Sequence, residues 1–131
     1  MSSTMPELAI IIILGFIVLF VKHAIADFFL QTAYQYRNKG IYGHPGGLLH
    51  AGIHAALTLP VYFVLAPATI IMAVAIPAGE FAVHYHVDWL KEQIVKRAHL
   101  SMQDAWYWHV FGTDQLIHAL TYIAIIAILV W

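Results

Sequence analysis

Pairs of ionisable residues recur along the chain with a single spacing of four positions. The pairs are His23 with Asp27, His50 with His54, His84 with Asp88, and Asp114 with His118. Residues four apart lie on one face of an α-helix, roughly 6 Å apart along its axis. Imidazole and carboxylate groups are ligands for ions such as Zn, Fe and Mn. The spacing therefore predicts helices that each present two metal ligands on one face.

The segments that carry these pairs are strongly apolar. The chain of 131 residues is 62% hydrophobic and 10% charged, which lies outside the usual range of soluble domains, and it contains no cysteine. Four stretches approach the roughly 20 residues that a helix needs to cross a bilayer. They cover approximately residues 8–30, 47–65, 67–89 and 113–131. Because backbone polar groups in lipid must be satisfied internally, we predict an all-α fold. The predicted architecture is an integral membrane four-helix bundle with up-down-up-down topology, forming a single transmembrane domain over residues 1–131.

Positive charge predicts the orientation of this bundle. All six Lys and Arg residues lie at or after the ends of the first and third spans. Positively charged loops face the cytoplasm, so we predict a bacterial inner-membrane protein with both termini in the periplasm. The first span is expected to be retained rather than cleaved as a signal peptide. Lys22, at the end of that span, is expected to extend its amine to the membrane interface.

The connection before the last span contains an aromatic cluster. Residues 101–112, SMQDAWYWHVFG, predict a short helix at the membrane interface. Ser101 and Asp104 are expected to form its capping box. Pro60 and Pro77 lie inside the second and third spans and are expected to kink them.

The predicted topology brings all four pairs to one depth near the cytoplasmic face, because they occupy neighbouring ends of the four spans. The predicted metal ligands are His23, Asp27, His50, His54, His84, Asp88, Asp114 and His118. Eight ligands exceed the need of one tetrahedral ion, so one or two divalent transition metal ions (Zn, Fe or Mn) fit the set. Glu80, one turn deeper than His84, is predicted to take up a proton in catalysis, as are Asp88 and Asp114 where they do not ligate. The alternative is a polar network that only joins the helices. His86 is expected to point away from the site.

The four motifs together resemble a known family. They are HAIADFFLQT (23–32), HAGIH (50–54), HYHVDWLK (84–91) and DQLIH (114–118). This pattern is similar to that of the bacterial membrane proteins grouped as domain of unknown function family 3307. The resemblance covers essentially the whole chain and implies a small inner-membrane protein of four helices, but it implies no activity. A looser similarity in type is to small membrane-bound metal-dependent hydrolases that also use intramembrane His and Asp.

The preferred functional hypothesis is a metal-dependent hydrolase that acts on a lipid or a lipid-linked phosphate at the cytoplasmic face. The metal-like, carboxylate-rich site at headgroup depth favours it. Arg37 and Lys39 could hold a phosphate near the site, although ordinary positive-inside charge also explains them. Membrane lipids are the expected partners, with a homo-oligomer or a larger membrane complex as further options, and no nucleic acid.

Three other hypotheses stay open. A di-iron or haem redox protein would use the histidines, although the acidic residues disfavour haem. A metal or proton transporter would need polar residues through the whole membrane, and the outer halves of the spans contain almost none. A metal-stabilised accessory subunit of a membrane complex is compatible with the small size of the chain.

Overall fold

The computed structural model describes residues 5–131, and this part of the chain is helical without any β-strand. The α-helices are α1 (Met5–Ala24), α2 (Ala33–Asn38), α3 (Pro45–Ala56), α4 (Ile70–Arg97) and α5 (Ala105–Val130). A π-helical turn, Ile25–Phe29, continues α1, and a 3₁₀ helix, Leu59–Phe63, follows α3. Three helical segments are long and apolar enough to cross a membrane, namely Met5–Phe29, Ile70–Arg97 and Ala105–Val130. The all-α prediction is confirmed, and the up-down-up-down topology stays a prediction.

The second predicted span is wrong as a single helix. Instead of one helix over residues 47–65, α3 ends at Ala56 and a separate 3₁₀ helix begins at Leu59. Pro60 has no N–H to donate to the carbonyl of Ala56, so a regular α-helix cannot continue through this position. The hydroxyl of Thr58 donates a hydrogen bond to the carboxylate of Glu80 on α4. The segment between α3 and the 3₁₀ helix is therefore bonded to a neighbouring helix.

The last two spans also differ from the prediction at their ends. Helix α4 ends at Arg97 rather than near residue 89, and it continues as one helix through Pro77. The predicted interfacial helix over residues 101–112 is wrong as a separate element, because α5 runs unbroken from Ala105. Ser101 and Asp104 do interact, but in the turn before the helix, and Asp104 is itself the N-cap. The backbone N–H and hydroxyl of Ser101 donate to the Asp104 carboxylate and keep its pKa below the usual value.

The apolar core lies in the half of the molecule that has no His or Asp pairs. Its buried members are Leu19, Val61, Leu65, Ile76, Tyr122, Ile125 and Ile126. Large apolar side chains on the outer face of α1 are exposed, including Ile10, Ile13 and Ile17. A surface of this kind is stable in contact with lipid rather than water.

Helix α2 is a short element that the sequence did not predict, and it packs closely against α3. A Cβ atom on Gly46 would lie 2.8 Å from the backbone carbonyl oxygen of Tyr34 in α2. A Cβ on Gly47 would lie 3.2 Å from the Cα of Lys39, just after α2. Glycine at these two positions therefore allows the close approach that places Lys39 beside α3 and α4.

We predict that Gly46→Ala destabilises the protein by about 1–3 kcal/mol, because the new methyl group meets backbone atoms that can move only with α2. The matched control is Gly79→Ala inside α4, where a Cβ meets no atom of the described residues within 4 Å. That change is expected to stabilise by roughly 0.5–1 kcal/mol through helix propensity. Thermal unfolding of both variants in detergent micelles measures the difference, and equal melting temperatures would contradict the tight packing of α2 on α3.

Candidate metal centre

Five histidine rings converge between the helices. His23 comes from α1, His50 and His54 from α3, His84 from α4 and His118 from α5. The ring of His84 is stacked between two others, with centroid distances of 3.7 Å to His54 and 4.1 Å to His118. The centroids of His50 and His54 are 4.8 Å apart. The helical faces predicted from the spacing therefore meet in one buried cluster.

Two carboxylates lie at the centre of this cluster. Oδ1 of Asp27 is 2.9 Å from Nε2 of His54 and 3.3 Å from Nε2 of His50. Oδ2 of Asp88 is 3.2 Å from Nε2 of His50 and 3.6 Å from Nε2 of His84. Oδ1 of Asp88 is 3.4 Å from Nε2 of His118. Each histidine directs Nε2 toward a carboxylate, so the donor atoms face a common space.

Some distances between these atoms match hydrogen bonds, and others match the separation of two ligands on one metal ion. Good N–H···O hydrogen bonds have donor–acceptor distances of roughly 2.7–3.2 Å. Two ligands on a tetrahedral zinc ion, with bonds of about 2.0–2.2 Å, lie roughly 3.3–3.6 Å apart. The distances from Asp88 to His84 and to His118 fall in the longer range, as does the 3.3 Å between Nε2 of His50 and Nε2 of His84. Two imidazole nitrogens at this distance can share either a metal ion or a hydrogen bond.

Two overlapping sets of side chains could hold a metal ion. Within each set, one ligand atom per residue lies within 4.8 Å of all the others. The first set is Asp27, His50, His54 and His84, and the second is His84, Asp88 and His118. Because His84 belongs to both sets, one ion could use either, or two neighbouring ions could occupy the site. The structure therefore has His/Asp groups suited to metal, as the sequence predicted, and the number and identity of the ions stay predictions.

His23, one of the two remaining predicted ligands, lies beside these sets with both ring nitrogens engaged. Its Nδ1 is 2.7 Å from the hydroxyl of Tyr122, and its Nε2 is 3.0 Å from Oε1 of Gln115 and 3.1 Å from Oδ2 of Asp27. These contacts suit a residue that does not bind metal itself but orients the carboxylate of Asp27.

Asp114, the other remaining predicted ligand, is buried next to the second set. Its Oδ1 is 3.5 Å from Nε2 of His118 and forms no hydrogen bond to any described residue. Its Oδ2 accepts a hydrogen bond of 3.2 Å from Gln115. A buried carboxylate oxygen without a hydrogen bond requires an explanation, such as a ligand, an ion or water.

A buried ion pair lies one turn deeper than the histidines. The amine of Lys22 contacts the carboxylate of Glu80 and is 3.1 Å from the carbonyl oxygen of His54. The expectation that Lys22 extends to the interface is wrong, since the residue is only 4% exposed. Glu80 accepts a hydrogen bond from Lys22 on one carboxylate oxygen and from Thr58 on the other. To accept a proton in catalysis, as predicted, Glu80 would have to give up one of these bonds.

A second buried lysine contacts the cluster through the carboxylate of Asp88. Lys39, which follows α2, is buried, and its amine is 3.2 Å from Oδ2 of Asp88. Positive-inside charge alone does not account for a buried lysine in this position, whereas Arg37 is exposed and fits that role. A polar cavity of about 280 Å³ lies beside Lys39 and reaches Asp27, Asp88 and Asp114.

Other histidines lie outside the site. His86 is exposed and its Nε2 is 3.0 Å from the hydroxyl of Tyr42, so it points away from the cluster as predicted. His44 caps α3 by accepting a hydrogen bond from the backbone N–H of Gly46.

Sequence reasoning missed four partners of the cluster, which are Lys22, Thr58, Gln115 and Tyr122. Two of them continue the spacing that revealed the pairs, because Thr58 lies four positions after His54 and Tyr122 four after His118. Extending each pair by one helical turn would have found them. Gln115 and Lys22 lie next to pair members along the chain and carry no such periodic signal.

The fold and the site together define a class of protein. It is an all-helical chain with membrane-length apolar helices and a buried His/Asp cluster between them. The chain belongs to the family described as Protein of unknown function (DUF3307), whose sequence model matches residues 15–131. This match includes all four motifs and confirms the family resemblance. No curated protein and no solved structure matches the chain.

Proposed function

We propose that this protein is a membrane-embedded, metal-dependent hydrolase that acts on a lipid ester or a lipid-linked phosphate at the cytoplasmic face of a bacterial inner membrane. The observation that carries the proposal is that one carboxylate from each ligand set, Asp27 and Asp88, lines a polar cavity. A polar network that served only to join helices would not need a cavity of about 280 Å³ beside it. A divalent ion held there would polarise a scissile ester or phosphoryl group and lower the pKa of a water molecule to about 7.

The side chains of the site have different roles in the proposed reaction. The residues that would hold the ion or ions are Asp27, His50, His54, His84, Asp88 and His118. Asp114 lines the cavity and belongs to neither ligand set, so we assign to its carboxylate the acceptance of a proton from water. The water oxygen then bonds to the phosphorus or carbonyl carbon, the ester bond breaks, and Asp114 returns the proton to the departing alcohol oxygen. Asp88 is held by His118 and Lys39 and serves mainly as a ligand.

The first test is metal-dependent release of product. Purified protein loaded with Zn²⁺, Mn²⁺ or Fe²⁺ is expected to release phosphate or fatty acid from a bacterial lipid extract, and chelator should stop the release. Elemental analysis of the same samples gives the number of ions per chain. Full loading without any product from the extract or from a panel of polyprenyl phosphates would contradict the hydrolase.

Asp114→Asn is expected to lower the rate of hydrolysis by about 10²–10⁴-fold, the usual effect of losing a proton acceptor in catalysis. The matched control is Asp104→Asn, which changes an exposed carboxylate in the turn before α5 and should leave the rate unchanged. Initial rates at saturating metal compare the two variants. An Asp114→Asn enzyme that keeps its metal and its full rate would exclude Asp114 as the proton acceptor.

A further inference from the structure

An apolar groove lies next to the polar cavity and has two lining residues in common with it. The groove has a volume of about 290 Å³ and lies between α4 and α5, lined by Leu90, Ile94, Val110 and Ile117 among others. Lys91 and Asp114 line both the groove and the polar cavity. An apolar space and a charged space therefore lie on either side of the same two residues, and an amphiphilic ligand needs one space of each kind close together.

The charges of the cavity restrict the headgroup of such a ligand. Its lining carboxylates are Asp27, Asp88, Glu92 and Asp114, and its lining amines are Lys39 and Lys91. The carboxylates outnumber the amines by two, so without a divalent ion the cavity would repel an anion. One divalent ion would balance this excess and bring the lining to zero net charge, so that the cavity would no longer repel an anion.

Lys91 is the amine best placed to meet a headgroup. Lys39 is already bound to Asp88 at 3.2 Å inside the site. Lys91 is 2.8 Å from Glu92, and an ammonium group has three N–H donors, so donors remain for a second partner. Lys91 also lines both the groove and the cavity. Asp114 lines the same two spaces.

We propose that the groove and the cavity together bind one phosphate-bearing lipid. Its phosphate lies between Lys91 and the metal centre, and an acyl chain occupies the groove between α4 and α5. A phosphate group carries negative charge on oxygen atoms that can contact an ion and an amine together, and a neutral lipid headgroup has no such charge. This inference rests on the proposed metal centre and specifies the substrate class of the hydrolase.

The test measures binding without turnover. The probe is a phosphonate analogue of phosphatidic acid, whose carbon–phosphorus bond resists hydrolysis, added to the metal-loaded protein in micelles and detected by native mass spectrometry. We expect the analogue to bind, and diacylglycerol and oleate to bind much more weakly. Binding should disappear when chelator removes the metal. Equal binding of diacylglycerol or oleate would overturn the proposal, as would a chain that takes up no metal.

Two pairs of variants locate the ligand. Lys91→Gln is expected to weaken binding of the analogue by about tenfold or more, the effect of losing one charge-assisted hydrogen bond. Lys96→Gln, an exposed lysine of α4 that lines neither space, is the control. Ile117→Trp should fill the groove and weaken binding, whereas Leu116→Trp, exposed outside the groove, should not. If Lys91→Gln binds as tightly as the wild type, the proposal is wrong.

The two proposals can fail separately. Hydrolysis of the lipid extract by a loaded protein whose Lys91→Gln variant binds the analogue normally would keep the hydrolase and reject this lipid site. Tight, Lys91-dependent binding of the analogue by a loaded protein that hydrolyses nothing would keep the lipid site and reject the hydrolase.

Discussion

Replacing Lys22 with methionine is expected to lower the free energy of unfolding by about 3–5 kcal/mol, the usual cost of removing one partner from a buried ion pair. Glu80 would keep only the hydrogen bond from Thr58. Both Lys22 and Glu80 are less than 5% exposed, so water cannot replace the lost amine. The variant should therefore unfold at a clearly lower temperature in detergent micelles.

Two further variants separate the ion pair from loss of packing. Adding Glu80→Gln to Lys22→Met removes the isolated charge and should restore much of the lost stability, because a neutral buried pair often replaces an ion pair at little cost. Lys96→Met changes an exposed lysine on α4 and should alter stability by less than about 0.5 kcal/mol. If Lys22→Met is as stable as Lys96→Met, the amine of Lys22 lies at the interface, as its place near the end of a span suggests.

The histidine-bearing faces could be predicted from the sequence because helical spacing is a local property. A pair such as His50 and His54 shares a face wherever the helix lies, and burial of that face follows from the cost of exposing imidazole to lipid. The same argument places the pairs of different helices at one depth. Which residue touches which is not local, so the roles of His23 and Asp114 beside the ligand sets needed the structure.

The π-helical turn at Ile25–Phe29 could not be predicted in this way. It is marked by a hydrogen bond of 2.9 Å from the N–H of Leu30 to the carbonyl of Ile25, five residues earlier. Its sequence, IADFF, differs little from the helix before it. The wider turn carries Asp27, whose carboxylate reaches His50 and His54 on α3. Such turns occur often at functional sites, where contacts between helices stabilise them.

The second span shows the limit of hydropathy as a guide. Its composition satisfies the length rule, and nothing in that rule detects the break between Ala56 and Leu59. Pro60 indicates an irregularity in the helix, but whether a proline kinks or ends a helix depends on the contacts that neighbouring segments make with it. Here Thr58 bonds to Glu80 across the gap between helices. Lys39 is a similar case, because its contact with Asp88 depends on the packing of α2 on α3.

Replacing His54 with alanine is expected to weaken metal binding by more than about 100-fold, since even partners outside the ligand set cost roughly 10–100-fold. His54 is fully buried, its Nε2 is 2.9 Å from Oδ1 of Asp27, and its ring is stacked on His84. The control is His86→Ala, which removes an exposed histidine two positions from His84 and should keep the metal.

Elemental analysis and chelator competition measure the metal in both variants, and melting temperatures with and without chelator show what the metal contributes to stability. Chelator should lower the melting temperature of the wild type and of His86→Ala toward that of His54→Ala, while His54→Ala itself should respond little. This pattern distinguishes loss of a ligand from simple damage to the core, which would lower the melting temperature of His54→Ala well below that of the metal-free wild type. If His54→Ala retains its metal with unchanged affinity, or if His86→Ala loses it, the buried cluster on α3 and α4 is a hydrogen-bond network and the ion binds elsewhere.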